Sequence, residues 1–394
     1  MDPLIIQLGI LGAICVCLAG IFENHPWRIA IVIFQYVVSG IIKETTSSSL
    51  TGTVLQIITT IVILKIPMFA NWKYLKREGC VMVTGCDSGM GQATVVYLAE
   101  TNGKENNSYD QIFAACFNAK ASLAQFEKLL TSEQLKYVTV LPLDVTNDQS
   151  VEQAKSTVEQ WMKNKASKAG LTGLVQFHGV AFNGPAAYMP MQMYERQIQV
   201  NFLGYVRVVQ IFLPIMKQAK SGRMIFTGTG GGPCTPCPAL LTAYMSSKFA
   251  TEAYCHSLRS EFFMTNTNIE ACMINPGFVK PTMLMEEGKK LTEKMWKDCE
   301  DKLKSSIAKD EYGPLFDHFL KYSALQPGTH VVEVSKAAEH ALLAKVPRTS
   351  YKVGIDSKLA PIVGMMPTGV RELIARHGIY GVLSPAGTVK GYRV

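Results

Sequence analysis

The chain has 394 residues, 39 of them Lys or Arg and 31 Asp or Glu, so 18% are charged and the formal net charge is +8. Soluble domains usually carry roughly 25% charged residues. The shortfall here is greatest at the start, where residues 1–70 hold only Asp2, Glu23, Arg28, Lys43, Glu44 and Lys65. A charge-poor beginning followed by ordinary globular composition excludes disordered, collagen-like and disulfide-framework proteins, and it argues against a uniformly soluble enzyme.

From Pro3 to Phe22 no side chain is charged, and as a helix this run is about 30 Å long, one hydrocarbon core. A second apolar run, Ile29 to Ile42, is flanked by Trp27, Arg28 and Lys43. A third, Leu50 to Ala70, is interrupted by Lys65 and ends in Trp72, Lys73, Tyr74, Lys76 and Arg77. The first run lacks the basic leader and small-residue exit of a cleaved signal peptide. Residues 1–72 are therefore expected to form a transmembrane anchor of two or three apolar helices. The aromatic and basic cluster after it reads as an interfacial belt that leaves the rest of the chain on the cytosolic side. The ten cysteines, spread from Cys15 to Cys299, suit a reducing compartment. The lone pair Cys234 and Cys237 lacks the second pair or nearby histidines that zinc needs, so no metal is expected. Dispersed basic charge without interleaved aromatics gives no support to a nucleic-acid partner.

After Arg77, short apolar runs alternate with helical stretches. Strands are expected at Cys80–Thr84, Gln111–Cys116, Tyr137–Leu141, Leu174–Phe177, Arg223–Phe226 and Ile269–Ile274. Helices are expected at Gln92–Glu100, Leu123–Leu130, Ser150–Lys163, Met193–Lys217 and Tyr244–Met264. Uniformly apolar strands alternating with helices specify an α/β chain with a parallel sheet covered on both faces. Residues 73–285 are expected to form this α/β unit, with 286–394 a lid and C-terminal segment packed on it.

The first strand leads into Thr84-Gly85-Cys86-Asp87-Ser88-Gly89-Met90-Gly91, and a helix follows. A dinucleotide pyrophosphate sits against backbone at a helix N-terminus, where side chains would block its approach. Gly85, Ser88, Gly89, Met90 and Gly91 are the candidates to hold it. The second strand ends at Phe117-Asn118-Ala119-Lys120, with neither the acidic residue that marks NAD nor the arginine that marks NADP. Asn118 suits a ribose hydroxyl and Lys120 a phosphate, so the coenzyme is NAD or NADP, with NAD favoured. Asp144 and Val145 close the third strand. The carboxylate there suits an adenine amino group, or else caps the helix beginning near Ser150.

Tyr244-Met245-Ser246-Ser247-Lys248 opens a helix, and residues four apart share a face. A lysine beside a tyrosine favours phenolate and brings its pKa down from about 10. Tyr244 is thereby suited to exchange a proton with an alcohol.

These motifs resemble the short-chain dehydrogenase/reductase family over roughly residues 79–285, in the retinol and hydroxysteroid dehydrogenase branch, most like the type 2 11-beta- and 17-beta-hydroxysteroid enzymes. The resemblance implies a Rossmann-type doubly wound sheet behind an N-terminal transmembrane anchor. It implies Tyr244 as acid/base, Lys248 as holder of the ribose, and Asn201 as support for a proton-relay water. Gly179, Pro276, Gly277, Val279 and Thr282 are implied to line the coenzyme. Two departures stand out. The family serine is absent at Gly231, so Thr229 is expected to replace it, with Thr227 the alternative. In place of Asn-Asn-Ala-Gly the chain has Gln176-Phe177-His178-Gly179, with His178 expected to be a local hydrogen-bonder rather than a base. The expected substrate is a small lipophilic alcohol, a steroid or retinoid, received under a Met-rich lid after Thr282. Alternatives are a ketoacyl or sphingoid ketone reductase, or a catalytically impaired coenzyme-binding scaffold. The resemblance also implies a homodimer, and endoplasmic reticulum is the default membrane for an uncleaved anchor.

Overall fold

The computed structural model describes residues 79–103, 109–165, 170–184, 186–219, 221–230, 232, 237, 240–280 and 328–374. The expected anchor, the Met-rich lid, Gly231 and Thr282 lie outside them.

Seven strands form one parallel sheet: β1 (Cys80–Thr84), β2 (Gln111–Cys116), β3 (Val138–Pro142), β4 (Leu171–Gln176), β5 (Gly222–Thr227), β6 (Ile269–Pro276) and β7 (Ser350–Val353), in the order β3-β2-β1-β4-β5-β6-β7. The order reverses between β1 and β4, and such a switch point opens a crevice beyond the carboxyl ends of the strands. One face is covered by α1 (Gly89–Thr101), α2 (Ala119–Leu129) and α7 (Val331–Leu343), which pack Val95, Leu98, Phe126 and Val334 onto Val81, Val83, Ile112 and Val175. The other face takes α3 (Asp148–Lys165), α5 (Gly204–Met216) and α6 (Thr242–Met264), through Val151, Phe212, Leu258 and their neighbours. Strand residues alternate between the two cores, and β1, β2, β4 and β5 are buried along their whole length. This explains the near-continuous apolar runs read in the sequence.

Two details differ from the sequence reading. Strand β4 begins at Leu171, three residues before the expected Leu174, because Thr172 and Gly173 are buried in the sheet despite their polarity and size. A side chain at Gly173 would collide with Leu342 and Val81. The helix expected at Met193–Lys217 is instead α4 (Met191–Ile198), a π-helical segment at Gln199–Leu203, and α5. Met191–Met216 is also the one helix among the described residues long and apolar enough to cross a bilayer. Its place against the sheet, with Phe212 and Ile215 in the core, makes it an interior element. The final helices of the described chain are α8 (Ile355–Gly364) and α9 (Thr368–Ile374).

Candidate active site

The glycine turn is shaped by contact with its neighbours. Gly85 has φ +71°, and a β-carbon there would lie 2.6 Å from His178 backbone atoms; one on Gly91 would lie 2.2 Å from the Gly85 carbonyl oxygen. These two glycines are required by packing within the protein. Gly89 differs, with φ +58° and nothing within 4 Å of its would-be β-carbon. Ser88 precedes α1 in an extended conformation, and its side chain does not cap the helix. The open approach at Gly89 and uncapped amides at a helix N-terminus fit an anionic pyrophosphate. Met90 packs half-buried on the core below.

Asp87, in the same turn, reaches the tip of β2. Its carboxylate accepts the amides of Phe117 (2.9 Å) and Asn118 (2.7 Å) and the Ser122 hydroxyl (3.4 Å). Asn118 caps α2 by accepting from the Ala121 amide at 3.2 Å. The sequence reading looked for a charge in β2 itself and passed over this one. The signal was an acid two residues after the first glycine, in a turn that otherwise attracts anions. Under the turn, the buried Cys86 thiol donates to the Val83 carbonyl at 3.1 Å and the Cys116 thiol to the Ala114 carbonyl at 3.6 Å.

Asp144 shapes its own turn, accepting the Thr146 amide at 2.9 Å and hydroxyl at 2.7 Å. Asn147, rather than Asp144, accepts the Ser150 amide at the start of α3. Val145 is buried against Gly204, where a β-carbon would stand 2.9 Å from it. After β6, Pro276-Gly277 is held by a residue that the sequence reading missed. Asp356 accepts the Phe278 amide at 2.6 Å, and a β-carbon on Gly277 would stand 1.9 Å from its carboxylate. Val279 then pairs with Thr329 in a short two-stranded ladder.

Tyr244 and Lys248 lie on the first turns of α6, beside the end of β5. Lys248 is 4% exposed, and Nζ donates to the Thr227 carbonyl at 3.0 Å while standing 6.0 Å from the Tyr244 ring centroid. The Thr229 side chain neighbours the Tyr244 phenol and draws its pKa down. Burial pushes Tyr244 up to about 12 against that pull, and burial pushes Lys248 down to about 7. The sequence reading expected Lys248 to lower the Tyr244 pKa. Desolvation dominates instead, since the phenol is buried and Lys248 Nζ spends a hydrogen bond on the Thr227 carbonyl.

Asn201 sits in the π-helical segment, which turns its side chain back toward the end of β4. There it accepts from the Val180 amide at 2.8 Å and donates to the Val180 carbonyl (2.8 Å) and Ser247 hydroxyl (3.0 Å). Its backbone carbonyl accepts the Thr251 hydroxyl. Asn201 thus ties β4 to α6 beneath Tyr244 and Lys248. Gly179 lies between them, where a β-carbon would stand 3.3 Å from Asn201 Oδ1 and 3.5 Å from Lys248 Nζ. His178 pairs with the Thr84 hydroxyl through Nδ1 at 2.7 Å.

The family model for short chain dehydrogenases matches residues 79–292. Human short-chain dehydrogenase/reductase family 9C member 7 is 30% identical over 300 residues, 75% of this chain and 88% of that protein. The 3beta-hydroxysteroid dehydrogenase dhs-16 of Caenorhabditis elegans is 31% identical over 334 residues, 80% of each chain. Mouse retinol dehydrogenase 5 is 30% identical over 296 residues, 72% of this chain and 82% of that protein. Among solved structures, a short chain dehydrogenase/reductase from Burkholderia phymatum in complex with NAD superposes with a TM-score of 0.56 at 16% identity, covering 81% of this chain and all of that one. One from Burkholderia cenocepacia in complex with NADP gives 0.52 at 16% identity, covering 77% and 97%.

Proposed function

The chain belongs to the short-chain dehydrogenase family and is an NAD(P)-dependent oxidoreductase, and on that premise we propose that it is a membrane-anchored, NAD-linked dehydrogenase of lipid alcohols. The observation that carries the reaction is the approach of Lys248 to Tyr244, with Nζ 6.0 Å from the phenol ring centroid and bonded to the Thr227 carbonyl at the carboxyl end of β5, two residues before Thr229. The nicotinamide coenzyme supplies the acceptor for hydride from the substrate carbinol carbon. Tyr244 takes the hydroxyl proton as the carbonyl forms, Thr229 orients the substrate oxygen by hydrogen bonding, and Lys248 binds the ribose and offers the cation that stabilises phenolate. In the reverse direction the same groups return the proton. Gly85, Ser88, Gly89, Met90 and Gly91 hold the pyrophosphate, Asn118, Asp144, Val145 and Gly179 the adenosine side, and Pro276, Gly277, Val279 and Thr282 the nicotinamide side.

The preference for NAD rests on Asp87. Its carboxylate lies at the tip of β2, where dinucleotide folds meet the adenosine ribose. A fixed negative charge beside the 2′ position repels a 2′-phosphate but tolerates a hydroxyl. Asp87→Ser is expected to raise the NADP/NAD ratio of kcat/KM by about tenfold, about 1.4 kcal/mol of discrimination. Steady-state kinetics with both coenzymes check this, and an unchanged ratio would remove Asp87 from coenzyme selection.

Support for a lipid alcohol comes from relatives named for retinol and a 3beta-hydroxysteroid, and from the uncharged run Pro3–Phe22. Such substrates dissolve in the bilayer, so an anchor at residues 1–72 brings the catalytic unit to them. The reading puts the enzyme in the endoplasmic reticulum membrane, facing the cytosol, as a homodimer, with a substrate lid in the segment after Thr282 and the C-terminal segment packed on the catalytic unit. Microsomes containing the protein should reduce NAD when given retinol or a 3beta-hydroxysteroid. No reduction of NAD or NADP with any steroid, retinoid or ketolipid alcohol would contradict the proposal and favour a coenzyme-binding scaffold.

A further inference from the structure

Three polar atoms at the end of β4 have no partner among the described residues. They are both amide atoms of Gln176 and Nε2 of His178, whose side chains are buried at 0% and 6% exposure. Buried polar groups in folded proteins are almost always satisfied, by water where no protein group reaches. The two residues stand two apart along an extended chain and share the sheet face covered by α5 and α6. Tyr205 of α5 marks that face. Its ring lies 4.0 Å from the His178 ring, and its hydroxyl reaches the Gln176 and His178 carbonyls at 3.1 and 3.0 Å.

Lys248 approaches the same place. Nζ lies 5.3 Å from the Tyr205 ring centroid, and close enough to the backbone beside His178 that a β-carbon on Gly179 would be 3.5 Å away. An ammonium has three N–H donors, and the hydrogen bond to the Thr227 carbonyl uses one. His178 is suited to accept another. Burial, with Lys248 adding to it, holds its pKa well below the usual histidine range, so the ring is neutral. The tautomer that donates Nδ1–H to the Thr84 hydroxyl leaves Nε2 as an acceptor.

We propose that Gln176 and His178 build a buried water site that receives the inward-facing N–H of Lys248, making His178 a positioning residue for the lysine ammonium. This extends the acid/base reading of Tyr244 and Lys248 and depends on it. The family's Asn-Asn-Ala-Gly is replaced here by Gln-Phe-His-Gly, and the replacement supplies the acceptors. A water held between Nε2 and Nζ favours the charged lysine, which burial otherwise disfavours. Tyr205 of α5 and Tyr244 of α6 face the pair, and the buried carboxylate of Glu252, one turn beyond Lys248 on α6, accepts from Asn275. Burial raises both phenols, so neither carries charge near neutral pH.

The test is the pH dependence of kcat for alcohol oxidation, measured on the full-length protein in membranes. In His178→Phe the acceptor is gone, the lysine loses its proton more readily, and the phenolate loses its counter-charge. The rising, acid-side limb of the profile, where Tyr244 loses its proton, is expected to move up by about one pH unit, with a fall of about tenfold in kcat at pH 7. His178→Gln keeps an acceptor and should stay near the parental profile. An unshifted His178→Phe profile, or an equal shift in His178→Gln, would overturn the proposal. Loss of packing lowers the rate at every pH without moving the limb. If His178→Phe does not fold, Gln176→Leu should shift the limb in the same direction, and no shift would again overturn the proposal. An active parent silenced by Tyr244→Phe upholds the underlying acid/base reading independently of these variants.

Discussion

Replacing Tyr244 with phenylalanine is expected to lower kcat for lipid-alcohol oxidation by about a thousandfold, within the range for removing a general acid/base. Only the hydroxyl is lost. The ring keeps its packing against Leu240, Leu241, Met245 and Phe249, so thermal stability and the KM for NAD should stay near parental values. The removed oxygen is the group whose pKa the neighbouring Thr229 draws down. Thr229→Ala is accordingly expected to cost less, about tenfold to a hundredfold, because the phenol survives while its orienting partner is gone. Rates from the Tyr244→Phe protein within a factor of ten of the parent would mean that another group moves the proton.

The second large effect concerns Gly91, whose role is to admit the Gly85 carbonyl. Gly91→Ala places a β-carbon 2.2 Å from that oxygen and 2.7 Å from its carbon, both backbone atoms held by the turn. The turn must open or the helix must move, at a cost of about 1–3 kcal/mol. A displaced turn misdirects the amides at the start of α1, so NAD affinity is expected to fall at least about tenfold, with a lowered Tm. Gly89→Ala meets no atom within 4 Å, and its φ of +58° costs only about 1–2 kcal/mol. Thermal unfolding with and without NAD separates the two. Gly91→Ala should lose the stabilisation by coenzyme, whereas Gly89→Ala should lower Tm and retain much of it. Equal retention by both would show that the close approach at Gly91 does not control the coenzyme site.

The sheet was legible because its strands are buried on both faces and therefore read as apolar runs at β1, β2 and β6. Strand β4 was placed late because Thr172 and Gly173 interrupt the pattern, and only the packing of Leu342 onto Gly173 explains the glycine. The break in the helix holding Asn201 was invisible, since its residues keep helical composition and the π-helical segment depends on where the asparagine side chain must reach. Strand β7 has no apolar run to announce it: only Tyr351 and Val353 of its four residues are buried, and it gains its place from pairing with β6. At the site, Tyr244, Lys248 and the glycine turn were found by spacing, because helix and turn geometry are local. Asp87 and Asp356 act across 30 and 78 residues of chain on Phe117 and Phe278, and no local pattern announces such contacts. The electrostatics were also hidden. The sequence shows a lysine four residues from a tyrosine, but the burial that raises one pKa and lowers the other belongs to the fold.

The central claim is direct hydride transfer from a lipid alcohol to the coenzyme, with the proton passing to Tyr244. It is tested most directly by supplying the membrane-bound protein with a retinol or 3beta-hydroxysteroid deuterated at the carbinol carbon, together with NAD, and analysing the reduced coenzyme by mass spectrometry. The expected result is one deuterium on the nicotinamide ring for each alcohol oxidised, at a rate lowered about a thousandfold by Tyr244→Phe. Alcohol oxidised without deuterium in the coenzyme, or transfer unaffected by Tyr244→Phe, would contradict it.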